Sequence, residues 1–305
     1  MKKLGMLLAC LALLWAVGLA AAEDAPVKVT DMMGREIELK EPATRVVALT
    51  AADCEILCAL GCEDALVGRG EYCNYPASVL EKPSVESGYE TNIEQIIALE
   101  PQVVLMATMA QTKEQADQLS AAGIQTAISN AQDIEGVYTS IRMIGALMGR
   151  EAEADAMIQD MQAAFAGIAE KSEQSGKTVY FEVSPLEYGL WTAGKGTFMD
   201  ELATLCGLTN AFADVEGWGQ ISEEQVLERN PDYIVTITMY FGEGPTPVEE
   251  IMSRPGWDKL QAVEKQQILN ADNDEISRPG PRLKDAAETL YRFVYEEETA
   301  EAPAA

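Results

Sequence analysis

One unit occurs twice in this chain, and it constrains the fold more than any other feature. Asn92-Ile93-Glu94-Gln95 opens an apolar stretch through Ile96, Ile97 and Leu99, Pro101 stops it, and Val103-Val104-Leu105-Met106 follows. Ser222-Glu223-Glu224-Gln225 opens Val226-Leu227, Pro231 stops that, and Tyr233-Ile234-Val235 follows, 130 residues further on. A short polar residue with Gln three positions later is a capping-box signature, so each unit starts a helix. Proline cannot continue that helix, and the apolar run beyond it reads as a buried strand. A weaker echo precedes each unit: Glu55-Ile56-Leu57 with Gly61 returns as Glu201-Leu202-Ala203 with Gly207. Two echoes in the same order predict two similar α/β halves.

The halves are joined by a stretch without proline, Gln102 to Ser184. Within it Ala154, Met157, Ile158, Met161, Phe165 and Ile168 follow helical spacing, with charges elsewhere. One long amphipathic helix is therefore expected from Glu151 to about Ser172, inside a linking segment of 151–175. The first half then covers 23–150 and the second 176–297, with a frayed tail at 298–305. Further expectations are a hairpin over Pro26–Leu39 turning at Asp31 and Gly34, and strands at Arg45–Leu49, Ala65–Val67 and Thr178–Val183. Helices are expected over Asp53–Leu60, stopped by Gly61, and near Leu283–Glu297.

Met1-Lys2-Lys3, an uncharged run from Leu4 and the exit Ala20-Ala21-Ala22 form a secretory signal pattern over 1–22. The same run is long enough to serve as a retained anchor. Leu7-Leu8-Ala9-Cys10 resembles a lipobox, but too few apolar residues precede Cys10 for a normal signal core. The chain is read as exported, periplasmic or otherwise extracytoplasmic.

Of 22 Lys and Arg, two lie in the leader, against 50 Asp and Glu. Nucleic acid and anionic membranes are poor partners for such a surface. There is no histidine, which removes Ser-His-Asp and Cys-His catalysis and imidazole metal ligation. No catalytic set emerges, no cofactor is called for, and the chain is read as a non-enzymatic monomer.

Beyond the leader stand Cys54, Cys58, Cys62, Cys73 and Cys206. The first three recur every four residues, as a metal or redox site or as an apolar helix face. The absence of a C-x-x-C spacing favours the apolar face. Cys54 opens a helix after one strand and Cys73 follows the next strand, so a Cys54–Cys73 disulfide is predicted.

Asp31-Met32-Met33-Gly34-Arg35, Arg45 to Leu49, Glu55 to Gly61, Asn92 to Pro101 and Ile276-Ser277-Arg278-Pro279-Gly280-Pro281-Arg282 occur in an order that resembles the class III periplasmic binding proteins for iron complexes and cobalamin. The resemblance covers nearly the whole chain after the leader. It implies an α/β fold of two similar Rossmann-like lobes joined by a single long α-helix, with a ligand cleft between the lobes. It also implies delivery of a metal chelate, ferric siderophore or cobalamin-type corrinoid, to an ABC permease and its ATPase. Glu94 and Glu224 match the surface glutamates that dock such proteins on the permease. Broad chelate faces suit aromatic walls in loops at strand ends. Tyr72, Tyr75 and Tyr89 in the first lobe are candidates, with Tyr188, Trp191, Trp218 and Tyr240 in the second. Lys195 and Arg278 are candidate partners for ligand anions. The alternatives are haem held by a tyrosinate, a Cys-ligated metal or redox protein, and an anchored interaction protein without a small ligand.

Overall fold

The structure, a computed structural model, describes residues 26–88, 90–108 and 111–296. The leader with Cys10, the tail from 297 and Tyr89 lie outside the described residues. An antiparallel hairpin, β1 (Val27–Thr30) and β2 (Glu36–Leu39), comes first. Asp31 makes its turn: Oδ1 accepts from the backbone of Met33 and Arg35, and Oδ2 takes the Arg35 guanidinium at 2.7 Å.

The first lobe continues with β3 (Val46–Ala48), α1 (Ala51–Ala59), β4 (Leu66–Gly70), β5 (Ser84–Val85), α2 (Ile93–Ala98), β6 (Val103–Ala107), α3 (Lys113–Ala121), β7 (Gln125–Ser129) and α4 (Ile134–Met148). Its sheet runs β5-β4-β3-β6-β7, every pairing parallel. Thr50 caps α1 through the Asp53 backbone N–H, and Gly61, at φ 74°, adopts the left-handed turn beyond its end. The second strand of this sheet reaches Gly70, beyond the expected Ala65–Val67, and a 3₁₀ turn takes Glu63–Ala65. Gly70 has a specific reason to be glycine. A Cβ there would lie 2.3 Å from the Leu49 carbonyl oxygen, so only a bare backbone lets the end of β4 press on the end of β3.

The linking helix α5 (Glu151–Lys171) spans 21 residues, about 32 Å at 1.5 Å per residue. Ala154, Ile158, Met161, Phe165 and Ile168 are its buried stripe. Glu151 and Glu153 stand in its first turn and Lys171 in its last, the favourable order for the helix dipole.

The second lobe holds β8 (Thr178–Ser184), β9 (Trp191–Ala193), α6 (Phe198–Leu205), β10 (Thr209–Asn210), β11 (Trp218–Gln220), α7 (Glu223–Arg229), β12 (Tyr233–Thr236), α8 (Pro247–Ser253), α9 (Gln261–Glu264), β13 (Ile268–Asn270), α10 (Asn273–Ile276) and α11 (Leu283–Tyr295). Its sheet runs β11-β9-β8-β12-β13. One edge of β8 is shared: Thr178 and Val179 pair with β10 in parallel, while Glu182 and Ser184 face the antiparallel β9.

The largest apolar core does not stop at a lobe boundary. It runs from Val46, Ile56 and Val103 through Ile144, Ile158 and Phe165 to Phe198, Leu202 and Leu290. Separate clusters cover the other face of each sheet. Burial at about 25 cal/mol per Å² makes such a shared core costly to split. Among the described residues no helix is long and apolar enough to cross a membrane.

Candidate ligand cleft and docking residues

In parallel α/β sheets the crevice beyond the carboxyl ends of the strands is where ligands bind. The exposed aromatics gather there. Tyr72 and Tyr75 follow β4, Tyr188 follows β8, Trp191 opens β9, and Tyr240 and Phe241 follow β12. Tyr72 is 71% exposed, Tyr188 75% and Phe241 84%, values that only a solvent-facing or ligand-facing ring takes. Phe241 and its exposed neighbour Met239 were not among the sequence candidates. They flank Tyr240 in the Gly-rich loop before α8. That loop is pinned by the Asn273 amide on the Ile237 carbonyl at 2.9 Å and by the Tyr240 hydroxyl on the Gly244 carbonyl at 3.3 Å.

Three candidates have partners within the protein. Trp218 is half-buried, packs on Phe198 with ring centroids 5.4 Å apart, and donates its indole N–H to the Gln132 carboxamide at 3.1 Å. Gln132 also accepts from the Phe198 backbone through its carbonyl at 2.8 Å, and Glu201 caps α4 through the Ile134 N–H at 2.6 Å. Trp218 thus belongs to a seam between the lobes. Burial pushes the Glu201 carboxyl upward against that backbone hydrogen bond. Arg278 is held by Glu55 at 2.7 Å and by Asp274 at 2.6 Å. Lys195, well exposed, stands 3.7 Å from Glu216. Of the cations at the strand ends, Arg69 has no carboxylate partner among the described residues. Its Nη1 donates to the carbonyls of Gly70 and Glu71, and its buried Nε has no hydrogen-bond partner.

In the structure the expected Cys54–Cys73 bridge is absent, and Cys58, Cys62 and Cys206 are likewise free. Cys54 does meet Cys73, but it is engaged more strongly by Cys58 one helical turn on. These hydrogen bonds, Cys58 first, and burial push the Cys54 thiol far up. The Cys54 hydrogen bond draws the half-buried Cys58 downward against burial. Cys62 does not join them; its Sγ lies 3.7 Å from the Leu60 carbonyl and beside Arg150. Among the described residues no group of three or more His, Cys, Asp or Glu is arranged to hold a metal. Burial pushes Cys206 up to about 12.

Glu94 and Glu224 occupy the same place in their helices, the second residue of α2 and of α7, and both are exposed. The helices start differently. Ser222 and Gln225 close a full capping box on α7. On α2, Asn92 caps Gln95, but the Gln95 carboxamide accepts from the Glu86 N–H at 3.2 Å instead of returning to Asn92.

The described frame agrees with what is known of other proteins. A family described as periplasmic binding protein matches residues 46–275. The chain belongs to the periplasmic binding protein family. A substrate-binding lipoprotein of an ABC transporter in Bacillus subtilis, YvrC, itself uncharacterised, is 34% identical over 277 residues, 88% of this chain and 86% of that one. The vitamin B12-binding protein of Salmonella choleraesuis is 29% identical over 252 residues, 81% of this chain and 89% of that one. The crystal structure of a possible iron-binding, periplasmic solute-binding protein from Staphylococcus epidermidis superposes with a TM-score of 0.71 at 28% identity, covering 84% of this chain and all of that one. The family is one of substrate-binding proteins.

Proposed function

We propose that this chain is the extracytoplasmic binding component of an ABC importer, capturing a metal chelate of ferric-siderophore or corrinoid type for a permease and its ATPase. One observation carries the reading: exposed aromatic rings from both lobes, Tyr72 and Tyr75 against Tyr188, Trp191, Tyr240 and Phe241, cluster at the carboxyl ends of the two sheets. Broad rings on opposite walls match a flat, rigid ligand. The relatives named for vitamin B12 and for iron support the class.

The charges favour a ligand of low net charge. Arg278 and Arg282 are neutralised by Glu55 and Asp274, and Lys195 faces Glu216. Among the described residues Arg69 is a strand-end cation without a carboxylate partner, free to meet a ligand anion. A corrinoid with a single phosphodiester fits such a wall better than a multiply anionic catecholate, whose charge would stand uncompensated. Haem held by a tyrosinate remains the second reading on the same aromatic wall, with two propionates to satisfy.

A thermal-shift series with cyanocobalamin, a ferric hydroxamate, a ferric catecholate and haemin tests this. A ligand at 100 times its Kd stabilises by about 2.7 kcal/mol. The expected order places cyanocobalamin first. No shift with any of the four overturns the proposal.

A further inference from the structure

The two lobes are tied together beside the aromatic wall by a single buried carboxylate. Glu55 on α1 accepts Arg278 Nη1 at 2.7 Å and Arg282 Nη2 at 2.8 Å on one oxygen, and Arg282 Nε at 2.9 Å on the other. Both arginines come from the segment between α10 and α11, more than two hundred residues away. Neither stops at Glu55. Arg278 also donates to the Asn74 side chain at 2.7 Å and to the Tyr72 carbonyl at 3.3 Å. Arg282 lies over the Tyr75 ring at 4.3 Å. Asp274 completes the set, taking Arg278 at 2.6 Å and the Asn74 amide at 2.9 Å. Each residue of the Tyr72–Tyr75 loop except the buried Cys73 is thus held by a group of the second half.

Paired guanidinium and carboxylate groups in a half-dry site are rigid, because their hydrogen bonds are charge-assisted and Arg presents its donors in a fixed fork. Glu275 stands 3.9 Å from Arg282 as a third acid, so the two arginines bring no uncompensated positive charge to the cleft wall. A loop with two exposed tyrosines would otherwise be ordered only when ligand arrives, and that ordering weakens binding.

We propose that Glu55 is a positioning residue for ligand capture: through Arg278 and Arg282 it holds the Tyr72–Tyr75 loop as a preformed wall against the second lobe. The role rests on the cleft being the ligand site, but its structural half can be tested without ligand. Three variants serve. Glu55→Gln removes the charge, Glu55→Asp keeps it, and Asn74→Ala cuts the loop's own links while leaving no buried charge unpaired, so that it folds. Hydrogen exchange of the amides of residues 71–75 should rise about tenfold in Glu55→Gln and Asn74→Ala, a difference of the size one hydrogen-bonded contact gives, with β3 and β8 unchanged. Glu55→Asp should restore slow exchange. With cyanocobalamin as probe, both loosened variants should release it about tenfold faster at nearly constant association rate, and Asn74→Ala should do so at unchanged melting temperature. Loop exchange equal to wild type in both loosened variants overturns the proposal, as does faster exchange with an unaltered release rate. If wild type takes up none of the chelates, the ligand class has failed, and the exchange measurement alone decides whether Glu55 orders the loop.

Discussion

Each lobe buries a carboxylate near the strand that leads its sheet, and the two are compensated in opposite ways. In the first lobe Asp53, just past β3, is fully buried, and one of its oxygens accepts the hydroxyls of Thr50 at 2.7 Å and Ser129 at 2.9 Å. Burial outweighs these hydroxyls and pushes the carboxyl up from 3.8 to about 6. In the second lobe Glu182, within β8, meets a bidentate Arg254 at 2.6 and 3.0 Å. Burial again pushes the acid upward, and here a full positive charge opposes it. Burial also disfavours the Arg254 charge, but Glu182 and Glu250 outweigh that and hold the guanidinium protonated. Arg254 is in turn stacked over the Trp257 ring at 4.4 Å. Neutral hydroxyls leave a proton equilibrium near the physiological range; a paired guanidinium replaces it with an ion pair that must be kept whole.

The sharpest way to break this contrast is to remove the arginine. Arg254→Met leaves Glu182 buried beside Tyr180 and Thr236 with only weak partners at 3.5 Å. Losing one member of a buried pair costs about 3–5 kcal/mol, read as a drop in the urea midpoint at constant slope. A loss below about 1 kcal/mol would mean that Glu182 simply takes up a proton, and Asp53 and Glu182 would then be handled alike.

The second test uses pH. An acid whose folded pKa is raised binds its proton more tightly in the native state. Its contribution is therefore greatest below pH 4 and is lost as pH rises through about 6. A shift of about two units corresponds to about 3 kcal/mol. Asp53→Asn, which keeps an oxygen for Thr50 and Ser129, should lack this decline. The difference in unfolding free energy between wild type and variant should change by that amount between pH 4 and 7 and be flat above. A constant difference across the range would place Asp53 ionised in both states.

What the sequence made legible follows local spacing. The linking helix was readable because its buried stripe repeats every three or four residues, and observed α5 ends one residue short of the expected Ser172. Helix starts at Ile93 and Glu223 were readable because the caps lie within three residues of what they cap. Partners far apart in sequence left no such trace. Glu55 looked like part of a repeat and Arg278 like a free cation, because the bond joining them spans 223 positions. Asp53 and Glu182 carry no sequence mark of burial. The antiparallel β9 and β11 are three residues each, too short for alternation to register. The expected Cys54–Cys73 disulfide is absent from the structure; Cys54 meets Cys73, but Cys58 one helical turn on engages the same thiol.

A smaller difference between the lobes lies at the two capped helices. Gln225 returns to the Ser222 N–H at 2.9 Å, so Gln225→Ala should cost α7 a part of its cap, about 0.5–1 kcal/mol. Gln95 reaches Glu86 instead, so Gln95→Ala should leave the start of α2 intact and speed hydrogen exchange at Glu86. Equal cap losses in both variants would show that α2 closes the same box in solution.

The least effect on the protein itself is expected at Glu94 and Glu224, where the lobes are alike. Both carboxylates are exposed, and neither enters an ion pair among the described residues. The Ser222 side chain and the backbone draw the Glu224 carboxyl downward, so it stays ionised at neutral pH. Under the docking proposal, one exposed acid per lobe, each at the second residue of a matched helix, would set both position and orientation on a partner carrying two basic patches. Glu94→Ala with Glu224→Ala should leave the melting temperature and chelate affinity unchanged, since neither residue joins the aromatic wall. Association with the permease should slow, and its dependence on salt should flatten, because steering by exposed charges is screened over about 8–10 Å. Each single variant should retain part of the effect, and charge reversal to Lys should slow association further. Uptake by the double variant at the wild-type rate, at low and at physiological salt, would remove the docking role from both residues together.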